Sequence, residues 1–286
     1  MPVCTVDDIS INYRVTGEGF PLVLSHPFSA NLDFWDGLKQ ALPPKYQVIT
    51  YDVRGHGLSS APVGEENYRL DLLVEDLHHL LTHLGVTQAY VGGLSLGGAI
   101  AFGYTGRHPE VVKALLVFDI HGGFSPPPNP AAQAAMAEGR EKGERYAQER
   151  GMADFARRQL ASGTAFPPVP DDETLREQYV ARMARFTVNG YIGVGRASPW
   201  EEKWQQQVAD EIKVPTLITC GSDDLPMVVN GTRTLHEHVK GSRYVMIKNS
   251  VHETARWQPA LFNQGVIEFL EAVEAGKPVA GEITLG

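Results

Sequence analysis

The sequence predicts an α/β fold: a mostly parallel central sheet of about eight strands, helices on both faces, and a helical insertion that caps it. Three observations predict it. Short apolar runs alternate with segments of helical spacing through the first 120 residues and again after residue 209. Between those two stretches the strand pattern stops. Finally, a glycine-flanked serine in "AYVGGLSLGGAIAFGY", from Ala89 to Tyr104, stands where an apolar run gives way to a helical one.

The elements follow in order. Residues 9–16, "ISINYRVT", alternate apolar and polar, the period of a half-buried strand. "PLVLSH" (21–26) and "YQVITYD" (46–52) are continuous apolar runs, as in strands buried on both faces. Residues 68–84 place apolar side chains at 70, 73, 74, 77, 80, 81 and 84, a helical spacing that Gly85 ends. A strand at 88–94, a helix at 96–107 closed near Pro109, and a strand at 113–120 come next. Strands alternating with helices imply a parallel sheet, since each parallel neighbour needs a crossover and the crossover helices cover both faces. "GGFSPPPNP" (122–130) then breaks the alternation, and residues 131–205 are mostly helical patterns rich in Arg, Glu, Ala and Gln. The sheet pattern returns in "VPTLITCG" (214–221) and "SRYVMI" (242–247), and a last helix at about 256–275 ends before Gly276 and Pro278. A core domain is expected at 1–121 and 209–286, with a helical cap at 122–208. The tail "GKPVAGEITLG" is read as an ordered extension or a loose end.

Composition sets bounds on function. The 286 residues suffice for one large domain, or one domain with an insertion. Hydrophobic residues are 43% and charged residues 21%, ordinary for a globular chain. A net charge of −9 argues against non-specific nucleic-acid binding, which needs a basic face. No apolar run reaches the roughly 18 residues of a membrane span. "MPVCTVDDIS" lacks the basic region and apolar core of a signal peptide. The expected location is cytoplasmic, with neither nucleic acid nor membrane as partner. Cys4 and Cys220 are read as buried free thiols rather than a disulfide, because no export signal is present.

Gly93-Leu94-Ser95-Leu96-Gly97 closes a strand and opens a helix. A sharp turn there holds a serine exposed and strained, and its flanking glycines let strand and helix approach closely. The helix start aims backbone N–H groups and its positive dipole end at an oxyanion. A serine hydroxyl needs a base, and His252 in "KNSVHETARWQP" follows the last predicted strand of the core. The histidine needs an acid to fix its tautomer, and "CGSDDLP" offers Asp223 and Asp224. The chain order is then Ser, Asp, His.

These marks resemble the α/β-hydrolase superfamily, and within it the small lactonases and esterases that include the 3-oxoadipate enol-lactonases. The resemblance covers residues of about 10–120 and 210–272. It rests on "SHPFSANLDFW", "YDVRGHGLSS", "GLSLGG", "GSDD" and "SVHETARWQPALFNQGVIEFL" in that order. It implies an α/β-hydrolase fold and a triad of Ser95, His252 and an acid. The family pattern places that acid at Asp224; Asp223 is the near rival and Asp119 a third option. It also implies an oxyanion hole from the N–H groups of Leu96 and Phe28. The chain departs from the family's His-Gly pattern with His26-Pro27, and Pro27 has no N–H to offer. The implied activity is hydrolysis of a small-molecule carboxylic ester or lactone through an acyl-enzyme, by a monomer or homodimer, with no cofactor and no metal. The alternatives are a C–C bond hydrolase of vinylogous diketones on the same triad, or a non-catalytic small-molecule receptor on this fold. A cofactor-free perhydrolase or haloperoxidase side activity is a related option. A dehalogenase or epoxide hydrolase is disfavoured, since those relatives carry Asp where this chain has Ser95.

Other candidates have plainer readings. His78, His79 and His83 fall opposite the apolar stripe of the 68–84 helix and are expected on a solvated face. Asp52, Arg54 and His56 look catalytic, but the resemblance implies a structural turn; it likewise implies that Trp35 packs near the oxyanion loop, and His26 is expected to shape its loop. Cys220 is expected to be buried in its strand. His121 stands near the pocket side of the insertion's start. The cap's Arg140, Lys142, Arg145, Arg150, Arg157, Arg158, Arg182 and Arg185 are expected to be surface charges interleaved with acids, although one turned inward would bind a substrate carboxylate. "MARFTVNGYIGVG" (183–195) offers apolar and aromatic groups to a pocket.

Overall fold

Alternation along the central strands sends neighbouring side chains into two separate cores. In the computed structural model, residues 2–6, 8–120, 129–198 and 208–286 are described. The strands are β1 (Val3–Val6), β2 (Ile9–Thr16), β3 (Phe20–Ser25), β4 (Tyr46–Tyr51), β5 (Ala89–Leu94), β6 (Val112–Phe118), β7 (Thr216–Gly221), β8 (Arg243–Ile247) and β9 (Gly281–Leu285). They form one sheet in the order β1-β2-β4-β3-β5-β6-β7-β8-β9. β2 runs antiparallel to β1 and β4, and every other pairing is parallel. On β3, Val23 enters one core while Leu22 and Leu24 enter the other. On β6, Leu115 and Val117 face one way and Ala114, Leu116 and Phe118 the other. This is the period of two of a strand buried on both faces. Each fully buried Leu or Val adds about 1.5–3 kcal/mol of transfer free energy, so the two-sided strands anchor the fold.

The helices are α1 (Asp36–Ala41), α2 (Leu70–His83), α3 (Leu96–Arg107), α4 (Pro130–Ser162), α5 (Glu173–Ala184), α6 (Val188–Ala197), α7 (Pro226–His238), α8 (Thr254–Trp257) and α9 (Pro259–Glu274). Residues of α2, α3 and α7 share one core, and those of α1 and α9 the other. The helical insert, α4 to α6, lies between β6 and β7 in the chain. It builds its own small core from Ala147, Met152, Phe155, Ala156, Tyr179, Met183 and Phe186. Gly151, at φ 80°, interrupts α4. The insert rests on the "YDVRGHG" turn: Thr187 Oγ1 donates to the Gly55 carbonyl at 2.7 Å, and Gly190 packs so closely on Gly55 that a Cβ there would strike its carbonyl.

Among the described residues the sheet has nine strands, one more than expected. The tail adds β9 as a parallel edge beside β8, with Lys248 N–H donating to the Leu285 carbonyl at 3.0 Å. β1 at the opposite edge and α7 went unread in the sequence. The helix expected at 256–275 is divided: α8 ends at Trp257 and α9 opens on Pro259, which supplies the fixed φ of a first helical position. Cys4 and Cys220 are free and buried. Among the described residues no helix is long and apolar enough to cross a membrane.

Candidate active site

Between β4-β3 and β5-β6 the strand order reverses, and the loops after β3 and β5 part to opposite sides of a crevice at the strands' carboxyl ends. Four adjacent strand ends carry the candidate residues. Ser95 follows β5, Asp119 follows β6, Asp224 lies three residues past β7, and His252 stands in the loop after β8.

Ser95 sits between β5 and α3 with φ 54° and ψ −113°. A left-handed φ costs a non-glycine residue about 1–3 kcal/mol and persists only where its surroundings enforce it. Here the Ser95 N–H donates to the Phe118 carbonyl at 2.9 Å, and its own carbonyl accepts from Ala99 N–H at 3.0 Å. The glycines explain the tightness. A Cβ on Gly93 would overlap the Gly97 carbonyl, and one on Gly97 would overlap the Ser25 carbonyl. Ser95 stays half-buried, and Leu96 lies in the first turn of α3, where helix N–H groups have no partner within the helix.

His252 Nδ1 and Asp224 Oδ2 are 2.8 Å apart, both side chains buried. Asp224 Oδ1 accepts the Leu225 N–H at 2.6 Å, so both carboxylate oxygens are engaged. Asp223, the rival, is exposed and accepts from Ser222 Oγ at 2.9 Å instead. The 221–224 turn is laced to the histidine loop by Ser222 N–H to the Ile247 carbonyl and Asp223 N–H to the Ser250 carbonyl, each 2.9 Å. Gly221 is required there, because a Cβ would strike the Ser250 carbonyl. Burial alone would lower the His252 pKa. The Asp224 hydrogen bond and the charges of Asp224, Asp119 and Glu253 outweigh it and hold the imidazole above its ordinary value of 6.5.

The other histidines in reach are spoken for. His26 Nε2 accepts the Val53 N–H at 3.0 Å, leaving Nδ1–H to donate to the Pro27 carbonyl at 2.8 Å. His56 Nε2 accepts the Ser29 N–H at 3.3 Å, and its Nδ1–H donates to the Arg54 carbonyl at 3.2 Å. Burial lowers both pKa values. Neither ring has a nitrogen lone pair to spare for a serine proton. Asp52 is structural too: its carboxylate accepts from Asn12 Nδ2 and from the Leu32 and Leu58 N–H groups, each at 2.8 Å. Trp35 is fully buried against Phe34, Phe118 and Phe262. Cys220 is buried, and burial raises its pKa far above the thiol range. His78 departs from the solvated-face expectation, since its ring stacks on His108 at 4.0 Å. His121 lies outside the described residues.

Gly97 packs against the Ser25 and His26 carbonyls, which brings the 26–29 loop to the start of α3. Phe28 leaves that loop toward the insert, where its ring meets Phe186 at 5.1 Å and Tyr191 at 6.2 Å. Both partners belong to the 183–195 stretch singled out in the sequence. From the insert's other side, the Phe166 ring lies 5.1 Å from that of His252. A hollow of about 840 Å³ between α4 and α5, lined in part by Leu160, Arg176 and Val180, contains no residue of the Ser95 site. The site is therefore assigned by its chemistry and not by concavity.

Sequence reasoning missed Glu253. It is buried at φ 66° directly after His252, and its carboxylate takes Arg182 of α5 at 3.1 Å and Arg256 at 3.0 Å. Arg182 is thus the cap arginine that turns inward, but Glu253 already holds its charge. Arg185 pairs with Asp33 at 2.8 Å, Arg157 with Asp154 at 2.6 Å, and Lys142 with Glu138 at 2.6 Å, all on exposed ground. An acid flanking the histidine and an arginine-rich helix were both visible in the sequence; their meeting was not.

A glycine-gated serine turn and a buried histidine–aspartate pair on adjacent parallel strand ends define a class of protein. The chain belongs to the α/β-hydrolase fold family, whose model matches residues 21–257. It is 29% identical to 3-oxoadipate enol-lactonase 2 of Acinetobacter baylyi over 266 residues, 92% of this chain and 93% of that one. It is 28% identical over 287 residues to a putative 2-succinyl-6-hydroxy-2,4-cyclohexadiene-1-carboxylate synthase of Bacillus subtilis, covering 94% and 98% of the two chains. Among solved structures, the enol-lactonase of Burkholderia xenovorans superposes with a TM-score of 0.78 at 24% identity, over 94% of this chain and 100% of that one. The fold is therefore shared with hydrolases along nearly the whole chain.

Proposed function

We propose that this protein is a serine hydrolase that cleaves a small carboxylic ester or lactone through an acyl-enzyme on Ser95. The observation that carries the reading is the buried 2.8 Å contact between His252 and Asp224, two strand ends from the strained turn that presents Ser95. His252 takes the Ser95 proton from Oγ as that oxygen attacks the carbonyl carbon. The oxyanion is held by the N–H groups of Leu96 and Phe28, and losing one such donor typically costs about 3–4 kcal/mol of barrier. His252 then gives its proton to the departing alcohol, or to the ring oxygen of an opened lactone. Water, deprotonated by the same imidazole, releases the acid and restores Ser95. Asp224 keeps His252 in the tautomer that leaves Nε2 free to act and stabilises the imidazolium. This chemistry is complete without a cofactor.

The insert at 122–208 acts in this reading as a cap, with Phe28, Phe186 and Tyr191 forming an apolar wall and Phe166 covering the histidine. Glu253 engages Arg182, the cap arginine that turns inward, in an ion pair before any substrate arrives. That favours a neutral ester or lactone over a carboxylated one.

Turnover by wild type and Ser95→Ala on a short panel tests this. The panel holds phenyl acetate, a neutral lactone, a carboxylated lactone, a monoester of a dicarboxylic acid and a vinylogous diketone. The expected result is multiple turnover on the neutral members, lowered by several orders of magnitude in kcat in the variant. Wild-type turnover of the diketone alone would favour the C–C hydrolase. Slow single turnover with retained product would favour a receptor.

The pH profile has a definite sign. The base form of His252 is the active one, and its pKa is raised. Activity should therefore be lost below that raised pKa and recovered as pH climbs through it, so the acid limb of kcat/KM lies above 6.5. A limb centred below 6.5 would contradict the electrostatics of the site.

A further inference from the structure

Asp119 has no part in the mechanism above, yet it is among the most deeply buried acids in the protein, 1% exposed, at the end of β6. It stands at φ 48°, a left-handed backbone that an aspartate adopts only under constraint. Its Oδ2 accepts both the N–H of Thr254 at 2.8 Å and the Thr254 hydroxyl at 3.0 Å. Its Oδ1 is buried and accepts no hydrogen bond among the described residues. One carboxylate oxygen of Asp119, one of Asp224 and one ring nitrogen of His252 all lie within 4.8 Å of one another. A structural carboxylate needs only the Thr254 contacts. Burying a second acid beside the first is costly unless something positive forms between them.

We propose that Asp119 is a positioning residue of the active site: it pins the His252-Glu253-Thr254 corner through Thr254, and its charge lies beside Asp224's to stabilise the imidazolium that forms when His252 takes the Ser95 proton. The inference rests on the triad reading and deepens it.

The electrostatics around Asp119 agree. Burial, helped by the nearby Asp224, raises its pKa to about 7 against the opposing pull of His252 and the Thr254 hydrogen bonds. In return, the Asp119 charge is among those that raise His252. The remaining ionisable groups around the corner are Cys220 on β7, whose pKa Asp119 helps to raise, and Glu253 with Arg182 and Arg256. The two arginines are neutralised in part by Glu253. The positive charge that appears during turnover next to Asp119 is therefore His252 itself.

The test replaces the charge and keeps the shape. Asp119→Asn retains an oxygen for Thr254 and removes the negative charge. The His252 ring pKa is read by NMR titration, its signal assigned by loss in His252→Gln, and phenyl acetate kinetics are run beside it. The expected result is a His252 pKa lower by about one pH unit, an acid limb that moves down with it, and kcat reduced about tenfold at unchanged KM. An unmoved His252 pKa and acid limb, whatever happens to thermal stability, would overturn the proposal and leave Asp119 a purely structural acid. Should Asp119→Asn not fold, Thr254→Val decides: removing the hydroxyl that donates to Asp119 Oδ2 is expected to lower the His252 pKa and the acid limb together, and an unmoved pKa and limb overturn the proposal. Ser95→Ala separates the two readings. Retained turnover in that variant would remove the triad itself, whereas lost turnover with an unmoved His252 pKa in Asp119→Asn removes this inference alone.

Discussion

Asp224→Asn is expected to lower kcat by about 10⁴-fold while leaving KM within a few-fold of wild type. The geometry dictates why. Asp224 Oδ1 accepts the Leu225 N–H at 2.6 Å, and Oδ2 faces His252 Nδ1 at 2.8 Å. An asparagine must keep its oxygen on the Leu225 side, so its NH₂ turns toward His252. Nδ1 is then forced to accept and Nε2 to carry the proton. An Nε2–H cannot take a proton from Ser95. No ground-state contact to substrate is removed, so binding is spared. Steady-state kinetics together with a thermal melt check the prediction. A kcat within tenfold of wild type in a folded variant would mean that another group sets the histidine tautomer.

Arg54→Ala is expected to destabilise the protein by about 3–5 kcal/mol, a large part of the 5–15 kcal/mol typical of a domain. Arg54 meets Asp76 of α2 through two parallel bonds, Nε to Oδ2 at 2.9 Å and one terminal nitrogen to Oδ1 at 2.6 Å, and both side chains are nearly excluded from water. Its other terminal nitrogen donates to the Asn67 carbonyl at 3.1 Å. Burial already raises the Asp76 pKa despite this partner. Without Arg54 the carboxylate relieves its isolation by binding a proton. Its folded pKa then lies further above the unfolded value, so the relief is present at low pH and lost as pH rises through the folded pKa. The deficit should therefore be larger at pH 8 than at pH 5. Urea unfolding at the two pH values measures it. Equal deficits would show that losing Arg54 does not raise the Asp76 pKa further.

The same pair shows what the sequence could and could not reveal. "YDVRGHG" was legible as a structural turn only through the family resemblance, since its Asp, Arg and His by themselves look catalytic. That its arginine reaches α2 was not legible, since Asp76 sits among Leu73, Val74 and Leu77 with no local sign of a partner 22 residues earlier. The parallel strands were legible because they are apolar on both faces. β9 was not: four of its five residues are exposed, and backbone pairing with β8 alone makes it a strand. α7 was within reach, with Val228, Thr232, Leu235 and Val239 at helical spacing.

The site divides the same way. Ser95 could be read because its signal is local in sequence: Gly93 and Gly97 fall within two residues of it, the first forced by the Gly97 carbonyl and the second by the Ser25 carbonyl at the end of β3. Asp224 and Asp223 are neighbours in one turn, and only the family pattern favoured Asp224 over its rival. The structure puts one in the interior against His252 and the other in water. The Glu253 pairing with Arg182 spans 71 residues and depends on how the insert seats, which no spacing encodes. The burial of Asp119 likewise depends on four strands ending side by side.

The central claim is that Ser95 is the nucleophile. A fluorophosphonate tests it most directly, because Ser95 Oγ would form a bond to phosphorus as fluoride leaves and His252 takes the proton. Intact mass and peptide mapping read the product. The expected result is one phosphonyl group per chain, on the peptide containing Ser95, absent from Ser95→Ala and slowed in Asp224→Asn. No adduct, or an adduct that persists in Ser95→Ala, would contradict the claim.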